Sequence, residues 1–236
     1  MNSTRFEGKV LEAIDGEPML VFQNKRINQS RYADEVVVCT SVEKTDDKIF
    51  SICERFKIPV YRGSLNNVLD RFQRAAELYK ADIVIRCNGD CPLIDPVVID
   101  HVVENFIQHQ PNVDYASNIL DETYPLGMHV EVFTKEALLE ANEKCSSKEE
   151  REHVTPYLYR NDDRFSILSV KNEVNLSAYR ITVDYPSDIR LIREVVGILK
   201  SNDEGMGMQQ IVEVLTSNEK IRKINSQYKK KQHLDY

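Results

Sequence analysis

The chain lacks the features that would mark it as secreted, membrane-bound or a disulfide scaffold. It has no signal peptide and no apolar run near the ~18 residues that a membrane helix needs, so the expected address is the cytoplasm and no membrane contact is expected. Its five cysteines, Cys39, Cys53, Cys87, Cys91 and Cys145, are scattered and form no CxxC pair, which leaves no zinc-site spacing. These thiols are expected to be packed in the core or in loops. No Gly/Ser linker, low-complexity block or internal repeat interrupts the 236 residues. An excess of positive charge is missing as well. A formal net charge of −7 makes a general nucleic-acid binder a poor expectation, although a small anionic substrate needs only a local basic pocket. The lysines at 229–231 read as a solvated tail.

What is present is ordinary for a globular protein, with 42% hydrophobic and 29% charged residues. The length suits one α/β domain spanning 1–236, with a core large enough to need no structural metal. Short β-branched runs at 35–40 (EVVVCT), 58–62 (IPVYR), 82–87 (DIVIRC), 129–134 (HVEVFT) and 180–184 (RITVD) read as strands. Helical patterns lie between the first three, at 46–57 and 66–80. In the second pattern Val68, Leu69, Phe72, Ala75, Ala76 and Tyr79 mark one face. Asp95-Pro96 opens a further helix, with proline suited to its first turn. This alternation predicts a largely parallel sheet with helices on both faces. Residues 114–134 read as an inserted β-rich lobe around the turn Tyr124-Pro125-Leu126-Gly127, and as a candidate homodimer contact. Helices are expected at 134–145, 149–160 and from Pro186 onward, with C-terminal helices over 200–236.

Ligands of such sheets bind beyond the carboxyl ends of the strands. After 82–87 comes Asn88-Gly89-Asp90-Cys91-Pro92, where glycine permits a sharp turn and Asp90 is presented at the sheet edge. After 180–183 comes Asp184, just ahead of Pro186-Ser187-Asp188. Two carboxylates converging there, with room for phosphate oxygens, suit Mg²⁺. Each aspartate also suits a helix cap or turn, and both readings stay open. At the N-terminus, Ser3, Thr4, Arg5, Gly8 and Lys9 could cradle a polyphosphate, or could be no more than an exposed chain start.

Six segments carry a resemblance: STRFEGKVL (3–11), RGSLNNVLDRF (62–72), RCNGDCPLIDP (86–96), YPLGMHVEVF (124–133), REHVTPYLYR (151–160) and RITVDYPSDIRLI (180–192). In this order and spacing they resemble the cytidylyltransferases of the spore-coat polysaccharide biosynthesis protein F type, relatives of the acylneuraminate cytidylyltransferases. The resemblance implies a Rossmann-like nucleotidyltransferase fold and transfer from CTP to an acidic sugar or sugar phosphate. By it Ser3, Arg5, Gly8, Lys9, Ser41, Arg86 and Gly89 fall to the nucleotide, with Lys9, Arg5 and Asp90 catalytic. Asp90 and Asp184 would hold Mg²⁺. Glu131, Arg151, Glu152 and His153 fall to the sugar, each with a structural hydrogen bond or ion pair as its alternative.

There are departures. Relatives carry a hydrophobic strand and a Gln-Ala-Arg turn, about ten residues, ahead of the STR segment. The sheet is therefore expected to lack its first central strand, through either a start upstream or a decayed, inactive copy. Glu7 stands where relatives have proline, and His129 where they have an aspartate. A nucleotide-sugar-dependent glycosyltransferase is the rival reading, but its usual DxD motif does not occur at any strand end.

Overall fold

The computed structural model describes residues 5–228. The chain opens with a single 3₁₀ turn, Lys9–Leu11, and then a hairpin of β1 (Ala13–Ile14) and β2 (Glu17–Pro18). Asp15 and Gly16 form its turn with φ of 52° and 80°, the left-handed pair that a two-residue hairpin requires. Next come α1 (Met19–Ile27), β3 (Val38–Ser41), α2 (Asp47–Phe56), β4 (Val60–Gly63), α3 (Val68–Leu78), β5 (Ile83–Arg86) and α4 (Pro96–Gln108). The second half holds β6 (Tyr115–Ser117), β7 (Glu131–Thr134), α5 (Lys135–Lys144), α6 (Lys148–His153), α7 (Pro156–Arg160) and β8 (Ile167–Ser169). Three helices follow: α8 (Pro186–Ser201), α9 (Met208–Ser217) and α10 (Glu219–Arg222). No helix among the described residues is long and apolar enough to cross a membrane.

The helices expected at 46–57, 66–80, 134–145 and from Pro96 form close to their expected bounds, because each pattern carries its own stop and start signals. Asn67 caps α3 by accepting from the Asp70 N–H, Asp95 caps α4 through the Val97 N–H, and Thr134 caps α5 through the Ala137 N–H. Pro96 occupies the first turn of α4, where its missing N–H costs nothing.

Three expectations are corrected. The segment 114–134 is no separate lobe: β7 is hydrogen-bonded between β5 and β6, antiparallel to both, in a four-stranded sheet ordered β5-β7-β6-β8. Val130, Val132 and Phe133 are all fully buried, so β7 is covered on both faces and belongs at the centre of a sheet. The run 180–184 forms no ladder. It lies extended beside two loops, with the Ile181 N–H donating to the Leu126 carbonyl at 2.8 Å and the Val183 N–H to the Asp90 carbonyl at 2.8 Å. The helix expected over 149–160 breaks in two at Val154, whose φ of 74° is rare for a β-branched residue. Pro156, with no N–H to give, starts the second piece.

The expectation of an absent central strand concerns how β3 and β5 are joined. Among the described residues β3 pairs only with β4, in parallel, and β5 only with β7; no ladder links the two groups. Apolar packing follows the same division. The largest cluster gathers α4, α8, α9 and the inner face of β7, while another joins α3 and α5, and a smaller one joins α1, α2 and β3.

One close approach fixes where the 180–184 run sits. Gly127 has φ of 115°, and a Cβ there would lie 2.8 Å from the Ile181 carbonyl carbon. Both the backbone conformation and the contact exclude a side chain. Gly127→Ala is expected to cost about 2–3 kcal/mol, read as a fall in Tm of about 5–10 °C for a domain of this size. A variant melting like the wild type would show that this approach is not tight.

Candidate active site

Three parts of the chain meet at the carboxyl end of β5. The first is the loop after β5, Asn88–Cys91, closed by the Cys91 N–H donating to the Asn88 carbonyl at 3.1 Å. Gln23, buried on α1, clamps it: its Nε2 donates to the carbonyls of Asn88 at 2.7 Å and Cys91 at 3.0 Å. Arg26, one turn on, donates to the carbonyls of Ile94 and Met206 at 3.0 and 2.7 Å. Asp90 is thereby presented by a loop whose backbone is held from beneath.

The second part is the start of α8. Asp188 is fully buried, and its Oδ2 accepts from the N–H groups of Asp184 and Tyr185 at 2.8 and 2.9 Å. Asp188 is thus the residue that caps α8, which leaves the Asp184 carboxylate to face outward. The cap expected as one reading of Asp184 is therefore supplied by Asp188. Asp95, not Asp90, does the same for α4, and it also accepts from the Met208 N–H at 2.6 Å.

The third part is the N-terminal segment. Gly8, with φ of 70°, turns the chain into the 3₁₀ turn and directs Lys9 inward. The Lys9 ammonium donates to Asp90 Oδ2 at 2.9 Å, Asp184 Oδ1 at 3.3 Å and the Val183 carbonyl at 2.6 Å. Arg5 donates to Asp184 Oδ1 at 2.7 Å, and Arg180 to Asp184 Oδ2 at 2.9 Å and Asp188 Oδ2 at 3.0 Å. Burial works to raise the Asp184 pKa, but the Arg180 hydrogen bond and the charges of Lys9, Arg5 and Arg180 outweigh it and hold the carboxyl below its ordinary range.

These groups line one end of a cavity of 720 Å³. The other end is built on Glu131, which is almost fully buried. It forms an ion pair with Arg86, accepts from the Tyr115 hydroxyl at 2.8 Å and accepts from the Thr155 hydroxyl. Burial acts to lower the Arg86 pKa, yet the Glu131 charge and hydrogen bond raise it overall. His129, His153, Tyr159, Ile119 and Leu126 complete the wall. The positive φ at Val154 separates His153 from Thr155 so that both still line the cavity.

Of the residues singled out from sequence, Arg5, Lys9, Arg86, Gly89, Asp90, Glu131, His153 and Asp184 all line this cavity. Four described ones do not. Gly8 supplies a backbone turn. Ser41 is fully buried and its hydroxyl donates to Asp46 at 2.6 Å, so the nucleotide contact expected of it is not formed by its side chain here. Burial would raise the Asp46 carboxyl, but bonds from the Ser41 hydroxyl and N–H and from Thr40 bring it down to about 2. Arg151 turns to the Cys145 carbonyl at 2.9 Å and to Asn142, tying α6 to the end of α5, and Glu152 is exposed and does not line the cavity. Ser3 lies outside the described residues. Sequence reasoning missed Arg180, Thr155, Tyr159 and Tyr228 as lining residues. For Arg180 a signal existed, since it stands four and eight residues before Asp184 and Asp188.

Asp90 and Asp184 put two hard carboxylate donors at one end of the cavity, and Glu131 lies at the other. Among the described residues no group of three or more His, Cys, Asp or Glu converges as a metal cluster. Burial pushes the Cys87 thiol up to about 12 and those of Cys39 and Cys53 up to about 11, and it raises Cys91 well above its ordinary value.

The family profile described as Cytidylyltransferase matches residues 1–221. The chain is 34% identical over 236 residues to an uncharacterized protein of Methanocaldococcus jannaschii, covering 98% of this chain and 93% of that one. It is 30% identical over 200 residues to the spore coat polysaccharide biosynthesis protein SpsF of Bacillus subtilis, covering 82% of this chain and 81% of that one. Among solved structures, a cytidylyltransferase from Leptospira borgpetersenii superposes with a TM-score of 0.89 at 32% identity, covering 97% of this chain and 95% of that one.

The depressed Asp184 pKa has a consequence for stability. Its contribution is present above the ordinary carboxylate pKa near 4 and is lost as pH falls through the lower folded value. Asp184→Asn is expected to be about 1–3 kcal/mol less stable than the wild type at pH 7, because three cations lose their shared anion. That gap should narrow toward pH 3, below the ordinary carboxylate pKa near 4, where the stabilisation begins to be lost. Urea midpoints at the two pH values check this, and a gap independent of pH would count against the ion-pair account.

Proposed function

The chain belongs to the cytidylyltransferase family, and we propose that it transfers the cytidylyl group of CTP to a sugar acid or sugar phosphate with release of pyrophosphate. The observation that carries this reading is the Lys9 ammonium held between Asp90 and Asp184, with Arg5 and Arg180 on the same carboxylate. Cations and carboxylates alternate at the end of a strand, beside the bare backbone of Gly89, where a Cβ would meet nothing. A polyphosphate fits such a place: Arg5 and Lys9 can leave their carboxylates for phosphate oxygens, and the loop N–H groups can approach closely.

Asp90 and Asp184 fit a divalent metal ion such as Mg²⁺, since their oxygens already converge on one cation, the Lys9 ammonium. When bound, the metal would supply neutralisation of charge on the phosphates. The side chains do the rest by position. Arg180 and the two N–H bonds to Asp188 fix the direction of Asp184, while Gln23 fixes the loop that carries Asp90. Lys9 and Arg5 draw the leaving pyrophosphate. An acceptor oxygen seated toward Glu131, Tyr159 and His153 attacks the α-phosphorus, forming one P–O bond as the bond to the oxygen bridging the β-phosphate breaks. That acceptor oxygen is already anionic in a sugar phosphate, and in a sugar acid its hydroxyl proton goes to solvent. Little covalent chemistry falls to the protein, whose work is orientation and charge. The name of the Bacillus subtilis relative supports a precursor of a surface polysaccharide as the acceptor.

Pyrophosphate release with Mg²⁺ and each of the four nucleoside triphosphates, over a panel of acidic sugars and sugar phosphates, tests the proposal. CTP-dependent release is expected, and a folded protein that bound no CTP and released none would refute it. Asp90→Asn should lower turnover by about 100-fold or more while its Tm stays within a few degrees of the wild type. Undiminished turnover in that variant would remove Asp90 from the metal site.

A further inference from the structure

The last described turn of the chain reaches back to the phosphate end of the cavity. It is anchored by Ile221, which joins the main core, and by Asn225, which is buried. The Asn225 side chain donates to Asp188 Oδ1 at 2.8 Å and to the Arg180 carbonyl at 3.3 Å. Asp188 is the same residue that caps α8 and pairs with Arg180, so the C-terminal turn is keyed to the machinery that orients Asp184. Three residues on, Tyr228 lies flat against Tyr185, with ring centroids 3.7 Å apart and planes 4° from parallel. The Arg5 guanidinium sits 5.5 Å from the centroid of that same Tyr185 ring.

Two aromatic rings left to themselves prefer an offset or edge-on arrangement to a close parallel sandwich, because their negative faces repel. A cation near the stack favours it, since the guanidinium is attracted to the electron-rich rings. Tyr185 is therefore braced by Tyr228 and in turn gives Arg5 a flat surface. Arg5 is an exposed side chain that also pairs with Asp184, the carboxylate it must release to meet an anion.

We infer that Tyr228 is a positioning residue for the triphosphate: stacked on Tyr185, it holds Arg5 at the mouth of the cavity once Arg5 has left Asp184. The inference rests on the reading of this cavity as a nucleotide site, and it adds the C-terminal turn to that site. Its reach goes through Arg5, so it concerns anion affinity and not the integrity of the fold. Tyr228 also lines a second cavity of 600 Å³, together with residues 175–180, and it belongs to none of the apolar clusters described above.

The test is a set of binding measurements that need no turnover. Calorimetric titration with inorganic tripolyphosphate and with CTP is made on the wild type, Tyr228→Phe, Tyr228→Leu and Arg5→Ala, and on the Arg5→Ala/Tyr228→Leu double variant. Tyr228→Leu, which keeps apolar bulk but not the flat face, should bind both ligands about five-fold more weakly, within the range of an exposed cation–π contact. Tyr228→Phe should bind as the wild type does. In the Arg5→Ala background Tyr228→Leu should cost nothing further, since the two act as one unit. A Tyr228→Leu variant with wild-type affinity would overturn the inference, as would an equal loss with Arg5 already removed. Tm values within a few degrees across the set exclude a general loosening. If the wild type binds tripolyphosphate but not CTP, the nucleotide reading fails while the Arg5 stack is still tested by the tripolyphosphate series.

Discussion

Lys9 is the residue on which the rest of the site depends. Asp90 comes from the loop after β5 and Asp184 from the approach to α8, and two carboxylates brought this close repel each other unless a cation lies between them. The Lys9 ammonium does so with three acceptors, two of them the carboxylates and the third the Val183 carbonyl. That single contact draws the N-terminal segment, a strand end and a helix start to one point. Lys9 is 81 residues from the first aspartate and 175 from the second in sequence. The position of the cavity is therefore set by an electrostatic requirement as much as by the sheet.

Beneath that contact lies a layer of polar side chains that bind backbone. Gln23 holds the carbonyls of the Asn88–Cys91 loop, Arg26 those of Leu93, Ile94 and Met206, and Asp188 the N–H groups at the start of α8. Each would be costly to bury alone and is buried because the loops it serves have no strand partners for their own polar groups. The irregular stretches after β5 and before α8 are where a ligand can approach, and they would lack definition without these anchors. Burial acts to lower the Arg26 pKa and the nearby Asp95 charge acts against it, so the guanidinium is held among carbonyls with a carboxylate in reach. The same logic extends to Asn225, which ties the C-terminal turn to Asp188.

Much of this was legible in the sequence, and the parts that were not share a cause. Helices with a clear apolar face and a capping residue, such as α3, α4 and α5, could be placed because the signals are local. Gly89 and Asp90 could be placed beside the cavity because the loop after β5 was legible, whereas Asp184 lines it although the expected strand ahead of it does not form. Pairing could not be read. HVEVFT at 129–134 looks like any β-branched run, and only three-dimensional contact shows that it sits between β5 and β6, covered on both faces. The side-chain direction of polar residues was equally hidden. Ser41 and Arg151 carry suitable chemistry but spend it on Asp46 and on the end of α5. Tyr228 reaches the cavity through its contact with Tyr185, and no spacing in the sequence reveals which ring will meet which.

The charges around Lys9 also constrain what can enter. Lys9, Arg5 and Arg180 face Asp90, Asp184 and Asp188, three cations against three carboxylates. A balanced cluster offers a polyanion no net attraction at close range; it offers cations that can change partner. For Arg5 and Lys9 to turn to phosphate oxygens, the carboxylates they leave must find another positive charge, or each departure exposes a partly buried anion at a cost of several kcal/mol. Arg180 already serves Asp184 as well as the fully buried Asp188, but its ion pairs do not include Asp90. On the function proposed above, Asp90 and Asp184 together would meet that requirement by taking up a divalent cation along with the nucleotide. Nucleotide and metal affinity should on this argument be coupled, each favouring the other because both draw on one exchange of partners around the same two carboxylates.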